Sequence, residues 1–186
     1  MDLIPEVKKF AKKRAKELVQ LASVELTPET AEAQIAGQKV AFKIDVERRA
    51  AWKLYVELNT RIATQPLKAS EGLLREALSS LHAVFGITRE ILKEAGPGVA
   101  QGRESLGFYA MEILNQILRP ILAKWHPELS DWENQRPTDI STSEHEKKWK
   151  HAQDLRREIE RTRKNLVRYC AALALLAGVS SETKGS

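Results

Sequence analysis

Cysteine is almost absent from this sequence of 186 residues, because Cys170 is the only one. No intramolecular disulfide is possible, so we expect a reducing compartment. Aromatic residues make up only 6% of the chain, and β-branched residues do not gather in runs, which argues against an all-β fold. The longest run without a charged side chain, 169–181, has 13 residues, whereas a transmembrane helix needs about 20.

We expect no secretory signal, since the lysine-rich start of the chain is not followed by an apolar segment. We therefore expect a cytoplasmic protein. The composition, with 42% hydrophobic and 30% charged residues, is typical of a folded domain rather than a disordered chain. We expect a single helical-bundle domain over residues 1–186, in which 1–26 contain a basic N-terminal helix and 179–186 form a disordered tail.

Two segments show the apolar periodicity of amphipathic α-helices. In each of them, apolar positions alternate by three and four residues and form one stripe, which other helices must cover. The first stripe contains Leu74, Leu78, Leu81, Phe85, Thr88, Leu92 and Ala95, and the second contains Leu155, Ile159, Thr162, Leu166, Tyr169, Leu173 and Leu176. These stripes predict an all-α fold, a bundle of about five helices.

Capping and breaking residues set the expected helix boundaries. Three signals mark these boundaries: proline in the first turn of a helix, serine followed by a nearby glutamate at its start, and glycine after its last apolar residue. They include a capping box at Ser143 and Glu146, and a C-terminal glycine at Gly178. They predict helices over residues 5–24, from 28 onward, and over 50–63, 70–95, 105–125 and 143–177.

Residues 28–65 fit two interpretations. Gly37 could end the second helix, after which Val40, Phe42 and Ile44 alternate like a short extended segment near 39–44. Alternatively the helix continues, since apolar residues from Val40 onward also fit a period of 3.6. We favour the break.

The segment 105–125 is the most apolar of the predicted helices and is our candidate for the central one. Pro120 removes a backbone hydrogen bond inside it, which predicts a kink near Gln116. Pro127 is expected to end the helix. Residues 127–142 then form the one long irregular segment, and loops of this length are often functional.

Three tryptophans, Trp125, Trp132 and Trp149, bracket this predicted loop. One interpretation is that they pin the loop onto the bundle. The other is that they belong, with His126, to a surface that binds another protein, because tryptophan is a common interface anchor.

Basic side chains gather on two predicted helices. They are Lys8, Lys9, Lys12, Lys13 and Lys16 near the N-terminus, and Arg156, Arg157, Arg161 and Lys164 within residues 147–168. Solvated helix faces are one interpretation. Binding to nucleic acid or to an anionic membrane surface is the other.

The pair Arg119 and His126 is the best enzyme-like signal. Its spacing resembles the Arg-x₄₋₆-His motif of the HEPN ribonucleases, which are all-helical proteins. That resemblance implies RNA cleavage at a composite site in a dimer. The chain departs from the family pattern at Pro120, where the family favours a polar residue.

Other chemistry has no visible support in the sequence. No glutamate precedes a histidine by three residues, as in di-iron bundles, and Cys170 lies in an apolar stripe rather than beside a base. No glycine-rich phosphate loop follows a strand. We therefore expect no metal, no cofactor and no enzymatic activity.

Two segments, Leu118–Leu129 and Arg61–Leu67, resemble uncharacterised bacterial all-helical accessory proteins of multicomponent defence and signalling systems. The resemblance implies an accessory role without catalytic residues. We therefore expect a non-catalytic helical adaptor that binds another protein. Nucleic-acid binding through the basic faces and a HEPN-like ribonuclease are the alternatives, and the oligomeric state stays open.

Overall fold

The computed structural model describes residues 5–13, 31–67 and 72–179 of the chain. Within these ranges, every regular element is a helix. The α-helices are α1 (5–13), α2 (Ala31–Asn59), α3 (Leu74–Ala95), α4 (Leu106–Glu112), α5 (Arg119–Asn134), α6 (Thr142–Lys147) and α7 (Ala152–Ala177). Short 3₁₀-helices follow α2 at Ile62–Thr64 and α3 at Pro97–Ala100. The predicted all-α fold is confirmed.

The 105–125 segment, our candidate for the central helix, has the largest share of buried residues among the long helical segments whose side chains are described. Helix α2 makes the most extensive contacts with other elements. It runs antiparallel to α7, with the Arg48 guanidinium donating to the carbonyl of Ala177 at 2.9 Å and Cys170 lying near the carbonyl of Tyr55. Its other side packs against α3. The core stripe of α2, which includes Ala51, Leu54 and Leu58, is buried.

The predicted break at Gly37 is wrong. Residues 31–59 form one helix, so the 39–44 segment is helical rather than extended. A glycine inside a helix costs only about 1 kcal/mol relative to alanine. That cost is too small for a single glycine to end a helix by itself. The start expected at Thr27 and Pro28 lies outside the described residues.

Pro127 does not end its helix, which continues to Asn134 and leaves a loop of only 135–141. The proline ring is exposed. Because proline has no backbone N–H, the carbonyl of Ala123, four residues earlier, has no helical donor. Ala123 is exposed, so water can reach this carbonyl. Trp125 and Leu129, on the opposite side, are buried, and their burial favours the continued helix. The disturbance expected near Gln116 is a π-helical stretch, Ile113–Leu118, just before Pro120.

The capping box lies two residues earlier than predicted. The Ser141 hydroxyl accepts from the amide of Glu144, whose carboxylate accepts from the amide of Ser141. The expected single helix from Ser143 is divided at residues 148–151. Glu146 instead accepts from the Leu74 amide at 2.7 Å. The final helix ends at Ala177, and Gly178 has φ of 72°, as its sequence position predicts.

The boundaries of α1 and α3 agree only partly with the prediction. Helix α3 begins at Leu74, whereas the expected start at Ser70 lies outside the described residues, and it ends before Gly96 as predicted. In α1 the buried side chains are those of Val7, Phe10 and Ala11. The rest of the predicted N-terminal helix, up to residue 24, and positions 180–186 also lie outside the described ranges. Within those ranges, no helix has the length and hydrophobicity to cross a membrane.

Candidate functional site

Trp125 and Trp149 are buried inside the bundle, with 2% and 6% of their surface exposed. Their rings meet edge to face, with centroids 5.8 Å apart. The indole nitrogen of Trp125 donates to the carboxylate of Glu158 at 2.6 Å. Both tryptophans thus join α5 and the start of α7, and neither presents its ring to a partner.

Trp132 fastens α6 to α5. Its ring stacks on His145, with centroids 4.3 Å apart and planes 8° from parallel. The indole nitrogen donates to the carbonyl of His145 at 3.1 Å, and the imidazole Nε2 lies 2.8 Å from the carbonyl of Trp132. These contacts favour the interpretation in which Trp132 pins this region onto the bundle.

Arg119 and His126 lie on the same helix but make separate contacts. Arg119 is exposed, and its guanidinium donates to the Asn115 amide oxygen at 3.0 Å. The Nδ1 of His126 lies 3.1 Å from a guanidinium nitrogen of Arg75, which also forms a two-pronged ion pair with Glu133. The structure does not bring Arg119 and His126 together by any hydrogen bond within the described residues.

The imidazole of His126 is held neutral by its surroundings. Burial lowers its pKa, and the charge of Arg75 and the neighbouring His82 lower it further. Because Arg75 donates to Nδ1, the proton lies on Nε2, which is buried and lacks a hydrogen-bond partner among the described residues. Neither ring nitrogen is therefore open for proton exchange with a substrate.

The two basic faces differ in how much of their charge is neutralised. On α1, the lysines at 8, 9, 12 and 13 are exposed, and Lys13 pairs with Glu104 at 2.8 Å, while Lys16 lies outside the described ranges. On α7, Arg156 pairs with Glu146, Arg157 pairs with Asp154, and Lys164 lies 3.8 Å from Glu160. Arg161 is exposed. Much of the α7 face is thus internally paired.

Trp52 is the residue that sequence reasoning missed. It is the most exposed of the large apolar side chains in the described regions, at 49%, and Val56, one turn further along α2, is 37% exposed. The Trp52 ring stacks on Tyr55, with centroids 5.7 Å apart. A signal was present in the sequence, because Trp52 and Val56 lie off the Ala51 stripe, where polar residues are expected.

Trp52 and Val56 form one wall of an open groove between α2 and α3 with a volume of about 500 Å³. We call it the Trp52 groove. It is lined by Trp52, Lys53, Val56, Glu57, Ala83, Gly86, Ile87, Glu90, Ile91 and Glu94. A second hollow, which shares Lys53, Ile91 and Glu94, extends it towards Val46. The whole feature is therefore an elongated surface channel rather than a closed pocket.

The carboxylates of the Trp52 groove are paired within the chain. Glu57 lies 2.7 Å from a guanidinium nitrogen of Arg61, and Glu94 pairs with Lys53. The ammonium of Lys93 lies 2.8 Å from Glu90 and lowers the pKa of that carboxyl. Both side chains of this pair are more than 60% exposed, and such surface pairs contribute little to stability. The lining of the Trp52 groove therefore has no carboxylate without a cation beside it among Glu57, Glu90 and Glu94.

Gly86 leaves bare backbone at the edge of the Trp52 groove. A Cβ atom placed on Gly86 would meet no other atom within 4 Å. Glycine in the middle of a helix costs about 1 kcal/mol relative to alanine, and no contact within the described chain requires it. A partner that packs closely against the α3 backbone would use the space.

The chemistry available in the Trp52 groove is binding by apolar contact. Among the described residues, no group of three histidine, cysteine or acidic side chains could hold a metal ion. Comparison of the chain with known protein families, with curated proteins and with solved structures gives no match.

Proposed function

We propose that this protein is a non-catalytic helical adaptor that binds another protein through the Trp52 groove. The observation that carries the proposal is the half-exposed ring of Trp52, which stands with Val56 beside an apolar channel between two helices. Tryptophan is the residue most enriched among binding hot spots. Exposed apolar surface next to a concave channel is typical of an interaction site.

The alternatives have weaker support from the contacts. The nuclease hypothesis needs an imidazole that can exchange a proton, and both nitrogens of His126 are engaged or buried. Nucleic-acid binding by Arg156 would first have to break its part-buried pair with Glu146. By contrast, the Trp52 groove needs no rearrangement to receive a ligand.

We place the adaptor in a cytoplasmic multicomponent system of bacterial defence or signalling. This part of the proposal rests on the resemblance of the segments Leu118–Leu129 and Arg61–Leu67 to accessory proteins of such systems. Its partner would be another component of the same system.

Photocrosslinking at matched positions tests the proposal. A photoreactive phenylalanine analogue replaces Val56 in one variant and Val167 in another, and both are irradiated in the native cells. The two valines are similarly exposed, at 37% and 41%, but Val167 lies on α7, away from the groove. We expect a discrete protein adduct from position 56 and none from position 167.

The adduct must also depend on the groove. Adding Trp52→Ala to the variant with the photoreactive group at position 56 should remove it, because the hot-spot side chain is lost. An equal pattern from positions 56 and 167, or an adduct that survives Trp52→Ala, would refute the proposal.

A further inference from the structure

We infer that the contact between Arg75 of α3 and His126 of α5 is an acid-sensitive latch, which is closed while the imidazole is neutral and opens when the ring takes up a proton. The contact lies between α3 and α5, whereas the Trp52 groove lies between α2 and α3. The latch is therefore independent of the proposed function.

The chemistry of the donor determines the closed state. The guanidinium of Arg75 lies 3.1 Å from Nδ1 of His126, and a guanidinium has only N–H donors and no acceptor. Nδ1 must therefore accept this hydrogen bond with its lone pair. A proton on Nδ1 would place two N–H groups and two positive charges against each other. This nitrogen cannot be protonated while the contact is closed.

The other ring nitrogen offers no second place for the proton. Because Nδ1 accepts, Nε2 already carries the hydrogen of the neutral ring. Nε2 is buried and has no hydrogen-bond partner among the described residues. An imidazolium in the closed contact would be desolvated and would face a cation, and both effects are costly. Uptake of a proton therefore has to move the ring away from Arg75 and towards water.

The groups that face the ring favour its neutral form. From α3, it is approached by Arg75 and by the ring of His82, whose centroid lies 5.6 Å from that of His126. On α5 itself, the carboxylate of Glu133 opposes their effect, but both of its oxygens accept from Arg75, at 2.9 and 3.1 Å. Burial, Arg75 and His82 hold the pKa of His126 below its ordinary value of 6.5. The latch is therefore closed at neutral pH.

The titratable groups of α6 and α7 that approach this region bind elsewhere. Each of them contacts a group other than His126: His145 contacts the Trp132 carbonyl, Glu146 the Leu74 amide and Glu158 the Trp125 indole. The two tryptophan contacts keep α5 attached to α6 and α7 whether or not the latch is closed. Opening should therefore be confined to the seam between α3 and α5.

Nuclear magnetic resonance of the full chain between about pH 7.5 and 5 tests the latch. We expect the His126 ring to titrate with a midpoint below 6.5, and the backbone amides of 74–82 and 119–134 to shift with the same midpoint. The nuclear Overhauser effect between the rings of His126 and His82 should be present at pH 7.5. It should disappear when His126 is protonated, because the ring leaves the contact.

Two histidine variants assign the response. His126→Asn keeps an acceptor for Arg75 but takes up no proton in this range, so the amide shifts of the seam should be lost. His82→Asn removes the neighbouring histidine of the same seam and should retain them. Circular dichroism at pH 7.5 establishes that each variant is folded.

Two arginine variants assign the cause. Arg75→Met removes the donor and its charge, so the midpoint of His126 should rise towards 6.5. Arg119→Met removes an exposed arginine of the same helix and should leave the midpoint unchanged. If Arg75→Met does not fold, the ring contact and His126→Asn still decide the matter.

Several outcomes would overturn the inference. One is a His126 midpoint at or above 6.5, because the proton would then be tolerated in the closed contact. Another is a ring contact with His82 that persists after protonation. Seam amides that titrate equally in His126→Asn and in the natural chain would assign the response to another group. Equal displacement of the midpoint by Arg75→Met and Arg119→Met would show that overall charge, rather than this contact, controls the ring.

Discussion

Replacing Gly86 and Gly107 with alanine should change the free energy of unfolding in opposite directions. Both glycines lie inside α-helices, Gly86 in α3 and Gly107 in α4. The chemical change is therefore the same, and only the surroundings differ. For this reason the pair is a sharp test of the packing described above.

Gly86→Ala should stabilise the chain. A methyl group at this position meets nothing within 4 Å, so only the helix propensity changes, by about 1 kcal/mol in favour of alanine. In a chain of this size, that corresponds to a rise in Tm of about 2–4 °C.

Gly107→Ala should destabilise the chain. Its Cβ would lie 2.8 Å from the Cβ of Ala100 and 2.9 Å from the carbonyl oxygen of Val99. Val99 is 1% exposed, so the 3₁₀-helix that carries it cannot shift without disturbing the core. Overpacking of this kind costs about 1–3 kcal/mol, which exceeds the gain in helix propensity.

Urea unfolding of the three proteins measures the difference, which we expect to reach about 2 kcal/mol between the two variants. The slopes of the transitions should agree, so that the midpoints report stability alone. If Gly107→Ala proved as stabilising as Gly86→Ala, the packing of α4 against Pro97–Ala100 would be wrong. If Gly86→Ala were destabilising, the space beside Gly86 would already be filled, and the argument for the groove would lose one of its supports.

Three further predictions concern buried contacts. Trp132→Ala should lower the free energy of unfolding by about 2 kcal/mol or more, because the His145 stack and hydrogen bond are lost. It should leave the photocrosslink from position 56 unchanged, and loss of the crosslink without a loss of stability would contradict this. Tyr169→Phe should raise the free energy of unfolding by about 1 kcal/mol, since the buried hydroxyl has no hydrogen-bond partner among the described residues. If urea unfolding instead showed a clear loss of stability, the hydroxyl would be hydrogen-bonded. Burial raises the pKa of Glu146 above 4.5, so its contribution to the free energy of unfolding is fully present at lower pH and declines as the pH rises through the folded pKa. Urea unfolding from about pH 4 to 7 should show this decline in the natural chain and not in Glu146→Gln. Parallel pH dependences of the two proteins would refute the prediction.

The helices could be predicted from the sequence because their apolar stripes record which side is covered. The stripe that begins at Leu155 is buried at every position. The stripe that begins at Leu74 is buried as far as Leu81 and again at Thr88, and its other members are partly covered. Boundaries at glycine were also predictable where the backbone geometry is local, as at Gly178, whose positive φ suits glycine.

Boundaries decided by tertiary contacts could not be predicted in the same way. Two serine–glutamate pairs, Ser141 with Glu144 and Ser143 with Glu146, offer the same capping chemistry. The choice depends on the Leu74 amide, which is 72 residues away in sequence from Glu146 and binds its carboxylate. Pro127 likewise suggests a helix end until the burial on the opposite side of α5 is known.

The candidate site could not be predicted because it depends on which neighbour covers each face of α2. The sequence marks four tryptophans but not which of them lies beneath another helix. The fold accounts for Trp125 and Trp132, whose indole nitrogens donate to groups on neighbouring elements. Only the placement of α3 shows that Trp52 is left beside an open channel.

Two features beside that channel are costly for the chain alone. The large apolar ring of Trp52 stands half in water, and Gly86 weakens α3 without a packing reason within the described residues. Both costs would be recovered if a partner surface covered the groove. Because the two costs meet along one channel, a common ligand explains them better than two separate defects of packing.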